Sequence, residues 1–227
     1  MGDKIRVLAD EIFKDGVYRD GNSVSVGTTY QPMPFDEYKD IPSHKAGAVG
    51  EDHLVMVREL EKRKISPKSV IDFGCNIGFH GFHLNRRYGC EYTGIESESK
   101  TCAVAQELAR EKGLSQMDFS CKQAQEYVRG NGSRYDLSIF INAHMWVYKQ
   151  GAEFAAEVLE WISEHCKYMF FQTAHKGSAA MYVVDSLRTE EDVKVYLEGF
   201  GFSVERVNTS MSHGGKPRYM FFCKVGP

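Results

Sequence analysis

The spacing of apolar positions changes near residue 67, and that change divides the chain. Residues 1–66 hold Pro32, Pro34 and Pro42 among scattered aromatics, and no short strands alternate with helices. Within them, 49–64 (VGEDHLVMVRELEKRK) reads as a helix, because Leu54, Val57 and Leu60 form a stripe at helical spacing beside a charged face. Ser66-Pro67 then breaks the chain. Beyond it, short apolar runs alternate with amphipathic stretches. Strands are predicted at 69–73, 91–96, 116–123, 135–142 and 167–172, and a closing pair at 202–208 and 218–224. Helices are predicted at 78–88, 98–113, a short piece ending at Gly130, 153–165 and 189–199, the last with a Thr-Glu-Glu start that suits an N-cap.

Five strand–helix units followed by a strand pair imply a mostly parallel sheet with helices on both faces. The strands are continuously apolar, the mark of a sheet covered on both sides. The expected organisation is an arm and helix over 1–66, acting as a substrate cover, and an α/β domain over 67–227.

Composition narrows the field. A chain of 227 residues with 42% hydrophobic content supports one core and is short for two domains. A net charge of −3 argues against a surface built for duplex nucleic acid. The six cysteines (75, 90, 102, 121, 166 and 223) are scattered, with no C-x-x-C pair, and read as thiols rather than a metal or disulfide framework. The N-terminal MGDKIRVLADEIF has acidic residues and no long apolar run, so no secretory signal is expected. Nothing approaches the roughly 20 apolar residues of a membrane span. The expected location is therefore cytoplasmic, with no membrane partner.

Ligands of such sheets bind outside the carboxyl ends of the strands. The first strand here runs VIDFGCNIGFHGF. Gly74 permits a sharp turn, Gly78 opens the next helix, and Asn76 between them tolerates left-handed backbone. Asp72, at the strand end, can hold the loop or a cationic ligand group. The second strand ends in Glu96, about 20 residues after the loop, where a carboxylate can accept from two ribose hydroxyls; Ser97 follows it. Gln123-Ala124, after the third strand, offers an amide to an adenine edge, and Asn142 ends the fourth.

On these residues the chain resembles the class I S-adenosylmethionine-dependent methyltransferases over roughly 66–225. VIDFGCNIGF resembles the family's first motif, bringing Cys75 into the loop, and Glu96 matches its ribose-binding acid. Gln123 stands where many members carry Asp. YDLSIFINAHMWV resembles the fourth motif, which implies that Phe140 to Asn142 lie near the methionine part of the cofactor. The resemblance implies a Rossmann-like three-layer sandwich, a seven-stranded sheet of order 3-2-1-4-5-7-6, and S-adenosylmethionine as cofactor.

Methyl transfer to a hydroxyl requires alignment and a base for the departing proton, commonly histidine. The family topology puts His144, His175 and His213 on the carboxyl-end rim, with His144 nearest the methyl. His144 and His175 are the candidate catalytic residues, and Tyr30, Trp146 and His213 the candidate substrate contacts. Tyr30, Gln31, Phe35 and Tyr38 in the arm either bury a substrate ring or pack the arm onto the domain, and Trp146 either lines the pocket or joins the core. Lys149, Lys176, Lys216 and Arg218 give the rim positive charge, which suits an anionic substrate group or a solvated edge. His80 and His83 share a helix face, but no third ligand is visible, so no metal is expected.

The expected acceptor is a hydroxyl on a small molecule or sugar rather than a nucleic acid, because no Asn/Asp-Pro-Pro-Tyr/Phe follows the fourth strand. Two rival readings stand. A nicotinamide oxidoreductase shares the glycine loop and acid but normally shows G-x-G-x-x-G, absent here. A non-catalytic adenosyl-binding subunit would keep the pocket without the chemistry.

Overall fold

The computed structural model describes residues 2–13, 17–20, 23–26, 29–173, 186–211 and 217–226. In chain order its elements are α1 (Gly2–Phe13), β1 (Val17–Asp20), β2 (Ser23–Val26), a 3-10 turn at Asp36–Tyr38, α2 (Ala46–Lys62), β3 (Ser69–Phe73), α3 (Phe79–Tyr88), β4 (Glu91–Ile95), α4 (Ser99–Glu111) and β5 (Met117–Ser120). There follow α5 (Ala124–Val128), β6 (Tyr135–Ile141), α6 (His144–Gln150), α7 (Ala152–His165), β7 (Cys166–Gln172), α8 (Glu190–Glu198), β8 (Phe202–Met211) and β9 (Pro217–Val225).

Seven strands form one sheet in the order β5-β4-β3-β6-β7-β9-β8. Counted from β3, this is 3-2-1-4-5-7-6, the order the resemblance implied. β3, β6 and β7 run parallel, as do β4 and β5, while β9 is antiparallel to both β7 and β8. Three elements lie outside the sequence reading: α1, the β1–β2 ribbon and α6. Among the described residues no helix is long and apolar enough to cross a membrane.

By its contacts the chain divides into two compact units. One joins 1–68 with 75–123, the other 69–74 with 124–227. In the first, α1 is a short helix with Ile5, Leu8, Ala9 and Ile12 at helical spacing. Ile5 and Ala9 are buried, Lys4 pairs with Glu107 of α4 at 3.2 Å, and Arg6 forks onto Asp40 at 2.7 and 2.9 Å. An isolated helix of this length is marginal in water, so the docking sustains it.

The same unit corrects the cysteine reading. Cys75, Cys90, Cys166 and Cys223 are free, buried thiols, but Cys102 of α4 and Cys121 after β5 form a disulfide. The helix packs back along the strand that follows it, and this brings residues 19 apart in sequence to a Cα–Cα distance of 5.7 Å, inside the range a disulfide requires. Sequence spacing does not reveal it.

In the second unit, Phe73, Phe140 and Phe171 form a buried row across β3, β6 and β7, with ring centroids 5.6 and 5.9 Å apart. Trp161 of α7 meets Phe73 edge-on at 6.0 Å. Burying each such ring contributes about 2–3 kcal/mol. The N-cap predicted for α8 is present: Thr189 accepts from Asp192 N–H, and the Asp192 carboxylate accepts from the Thr189 N–H in return.

Candidate cofactor site

β3 ends at Gly74, which sits at φ +76°; a Cβ there would collide with the Ala143 methyl, so glycine alone fits. In the first unit the bend continues through Cys75 to Gly78. Cys75 N–H donates to the Ile95 carbonyl at 3.1 Å. Asn76 lies in the left-handed region at φ +53°, a geometry that asparagine adopts more readily than most residues. Its N–H donates to Glu96 Oε2 at 3.0 Å. Gly78, at φ +81°, caps α3, and a Cβ on it would lie 2.7 Å from the Phe119 ring. The bend is therefore tied to the end of β4 by two hydrogen bonds and closed by a glycine that cannot be enlarged.

Glu96 is half-buried. Its other oxygen accepts from Glu98 N–H at 2.8 Å. Burial pushes its carboxyl above the usual range, and the backbone N–H groups of Glu98 and Asn76 pull it part of the way back. A carboxylate offers about four lone-pair directions, so acceptor capacity remains. Asn76 Oδ1 is buried without a partner. An orphan acceptor in the bend, beside a carboxylate with unused lone pairs, fits a ligand carrying both ammonium and hydroxyl donors. S-adenosylmethionine offers an α-ammonium and a ribose diol, so these residues fit it.

The arm contributes a contact that sequence reasoning missed. Gln31 is buried, and its Oε1 accepts from the N–H of Phe79, the first residue of α3, at 3.1 Å. That N–H has no partner within its own helix. Gln31 is held in place by backbone bonds from Thr29 to Pro42 and from Lys45 to Tyr30, at 2.9 and 3.1 Å. A separation of 48 residues left no sequence signal. Tyr30 is half-buried in this loop.

The other expected residues fall as follows. Asp72 is buried in β3, Ser97 is exposed, Gln123 is half-buried, and Ala124 is buried at the start of α5. The Phe140 ring is wholly in the core. Asn142 stands at φ +57°, donates its N–H to the Gln172 carbonyl at 2.8 Å, and accepts from Arg218 Nη1 at 3.4 Å. Trp146 is 48% exposed on α6, so it is not core, and Lys149 Nζ lies 5.8 Å from its ring centre. His175 and His213, with Lys176 and Lys216, lie outside the described residues.

His144 is fully buried. Its Nδ1 lies 3.1 Å from Thr173 Oγ1 and its Nε2 lies 3.2 Å from Tyr196 Oη. Burial pushes its pKa down to about 3, so the ring is neutral near pH 7. In the first unit, His80 and His83 of α3 gather with His53 of α2, at ring centroid distances of 5.8 and 5.1 Å from it. Among the described residues, no group of three or more His, Cys, Asp or Glu side chains is arranged to hold a metal ion.

A family model described as a methyltransferase domain matches residues 70–165. No curated protein sequence matches the chain. Among solved structures, WbdD, described as a bifunctional kinase-methyltransferase, aligns with TM-score 0.69 and 17% identity, over 87% of this chain and 44% of that one. The chain thus spans less than half of WbdD. Magnesium protoporphyrin IX methyltransferase from Synechocystis PCC 6803, solved with bound SAM, aligns with TM-score 0.60 and 19% identity, over 98% and 97% of the two chains. An S-adenosylmethionine-dependent methyltransferase from Clostridium acetobutylicum ATCC 824 aligns with TM-score 0.59 and 12% identity, over 77% and 91%. At these identities the likeness is one of fold.

Proposed function

From the premise that the chain carries a class I, Rossmann-like methyltransferase domain, we propose that it transfers a methyl group from S-adenosylmethionine to a hydroxyl of a small molecule or sugar. The observation that carries the cofactor reading is the 75–78 bend, bonded to Glu96 and holding the orphan Asn76 Oδ1. When bound, the cofactor supplies a methyl group made electrophilic by its sulfonium. In this reading Asp72, Gly74, Cys75, Asn76 and Gly78 shape the cradle for its amino-acid end. Glu96, followed by Ser97, accepts from the sugar, and Gln123-Ala124 borders the base. Asn76 stands where the G-x-G-x-x-G pattern carries its second glycine, which favours this ligand over a nicotinamide dinucleotide. The net charge of −3 favours a small acceptor over nucleic acid.

His144 is the base in this reading. It is neutral near pH 7, so Nε2 has a free lone pair when Nδ1 carries the hydrogen, and Tyr196 Oη occupies that lone pair. A proton from the acceptor therefore reaches it through the phenol. Thr173 orients the ring, as a third group orients a catalytic base. The full burial of His144 and its two bonded nitrogens support a second reading, in which the imidazole simply joins α6, the end of β7 and α8.

Isothermal titration with S-adenosylhomocysteine and with NADH tests the cofactor. Micromolar binding of the first alone is expected, and binding of NADH alone refutes the reading. With an acceptor that turns over, His144→Gln separates the two roles. A base loses kcat while the melting temperature holds, whereas a structural imidazole loses melting temperature while kcat holds.

A further inference from the structure

Among the described residues of the second unit, three side-chain N–H groups are buried without a hydrogen-bond partner: Gln172 Nε2, Asn208 Nδ2 and Arg218 Nε. They come from three neighbouring strands, β7, β8 and β9. The register aligns them, because Gln172 and Asn208 both pair with Met220, one on each side of β9. Paired residues point to the same face of a sheet, and so do residues two apart on a strand. Gln172, Asn208 and Arg218 therefore share one face. Gln172 is the last residue of β7 and Arg218 the second of β9, so the face lies at the carboxyl end of the parallel strands, where such sheets bind ligands.

Arg218 also reaches Asn142, which follows β6, through Nη1 at 3.4 Å. β7, whose last residue Gln172 pairs with Ile141 of β6, lies between β6 and β9, so this bond spans from β9 to the end of β6 past the end of β7. A buried, unpaired donor costs about 1–3 kcal/mol, and folds rarely leave one. Three on one face is a debt that a ligand would discharge. The sign of that ligand follows from arginine, which has donors only and a fixed positive charge. The two amides can present N–H beside it.

We propose that Gln172, Asn208 and Arg218 form a subsite for an oxyanion, a carboxylate or phosphate, carried by the methyl acceptor. This rests on the methyltransferase reading and narrows its acceptor from any small hydroxyl compound to an anionic one. The subsite lies on the opposite face of β7 from Phe171, whose ring packs on His144 at 5.1 Å, so it is separate from the buried imidazole cluster.

The test uses the full chain, with S-adenosylhomocysteine present throughout, and titrates inorganic phosphate, glucose 6-phosphate, benzoate and glucose. Saturable binding of the anions but not of glucose is expected, and comparing the phosphates with benzoate identifies which oxyanion is preferred. Arg218→Gln is expected to weaken anion binding about tenfold or more, and Arg218→Lys less. Asn208→Asp places a negative charge in the subsite and is expected to weaken it as well. All three variants are expected to keep the wild-type affinity for S-adenosylhomocysteine, which shows that they are folded. Equal binding of glucose and glucose 6-phosphate overturns the proposal, as does an unchanged anion affinity in both Arg218→Gln and Asn208→Asp. Failure of S-adenosylhomocysteine to bind the wild-type chain is a separate result: it removes the methyltransferase reading, while the anion titrations still decide whether the subsite exists.

Discussion

Replacing Glu96 with glutamine keeps the size of the side chain and removes its charge and one acceptor oxygen. In the native chain both oxygens are engaged, one by Asn76 N–H at 3.0 Å and the other by Glu98 N–H at 2.8 Å. Glutamine can serve only one of these donors, and the other is left facing an amide nitrogen, a cost of about 1–3 kcal/mol in stability. The ligand loses more. Two ribose hydroxyls would each donate to a charged acceptor, bonds worth about 1.5–3 kcal/mol apiece, and the remaining amide oxygen recovers part of this. A net loss of about 2–4 kcal/mol corresponds to roughly 30- to 700-fold weaker binding of S-adenosylhomocysteine. Calorimetric titration reads it directly. The pH dependence gives a second reading. Burial raises the carboxyl pKa, while hydroxyl donors favour the charged form, so wild-type affinity falls as pH drops through that raised pKa. The Glu96→Gln affinity stays flat over the same window. A dissociation constant within about threefold of wild type, or a variant that keeps the wild-type pH dependence, refutes the assignment of Glu96 to the sugar.

Gly78→Ala places a Cβ 2.7 Å from Phe119 at φ +81°; a loss of about 2–4 kcal/mol in urea unfolding and of measurable S-adenosylhomocysteine binding is expected. Gln31→Ala strips the acceptor from Phe79 N–H, and a loss of about 1–2 kcal/mol is expected from thermal melts. Burial lowers the pKa of His53 to about 4 and of His80 and His144 to about 3, from 6.5. Between those values the unfolded chain binds more protons than the folded one, so stability is full above pH 6.5 and falls as pH drops toward 4. At pH 5 the loss is at most about 2 kcal/mol per histidine, checked by urea midpoints at pH 7 and 5. Reducing the Cys102–Cys121 bond is expected to lower stability by about 3 kcal/mol, measured by denaturation with and without dithiothreitol after alkylation has confirmed the thiol count.

The sequence by itself determined the alternation of strands and helices, the sheet order through its resemblance to a family, and the bend at Gly74–Gly78 with its partner Glu96. These are local properties. Periodicity separates strands from helices, although it misplaced one face: Leu54, read into the apolar stripe of 49–64, is 69% exposed. A left-handed turn favours glycine or asparagine, as at 74, 76 and 78. The N-cap at Thr189 was legible for the same reason.

Only the tertiary structure decided the rest, because the information lies in pairs far apart along the chain. The α1 helix is an exception: it carries Ile5, Leu8, Ala9 and Ile12 at helical spacing, a signal the sequence reading passed over, and the structure shows Ile5 and Ala9 buried. Gln31 reaches Phe79 across 48 residues, and Cys102 meets Cys121 because a helix folds back along its strand. Burial settled the character of individual side chains: Trp146 at the surface, the Phe140 ring in the core, and His144 enclosed with both nitrogens bonded. The row of unpaired donors at Gln172, Asn208 and Arg218 exists only through strand register, and no spacing within one strand encodes which residues stand opposite one another.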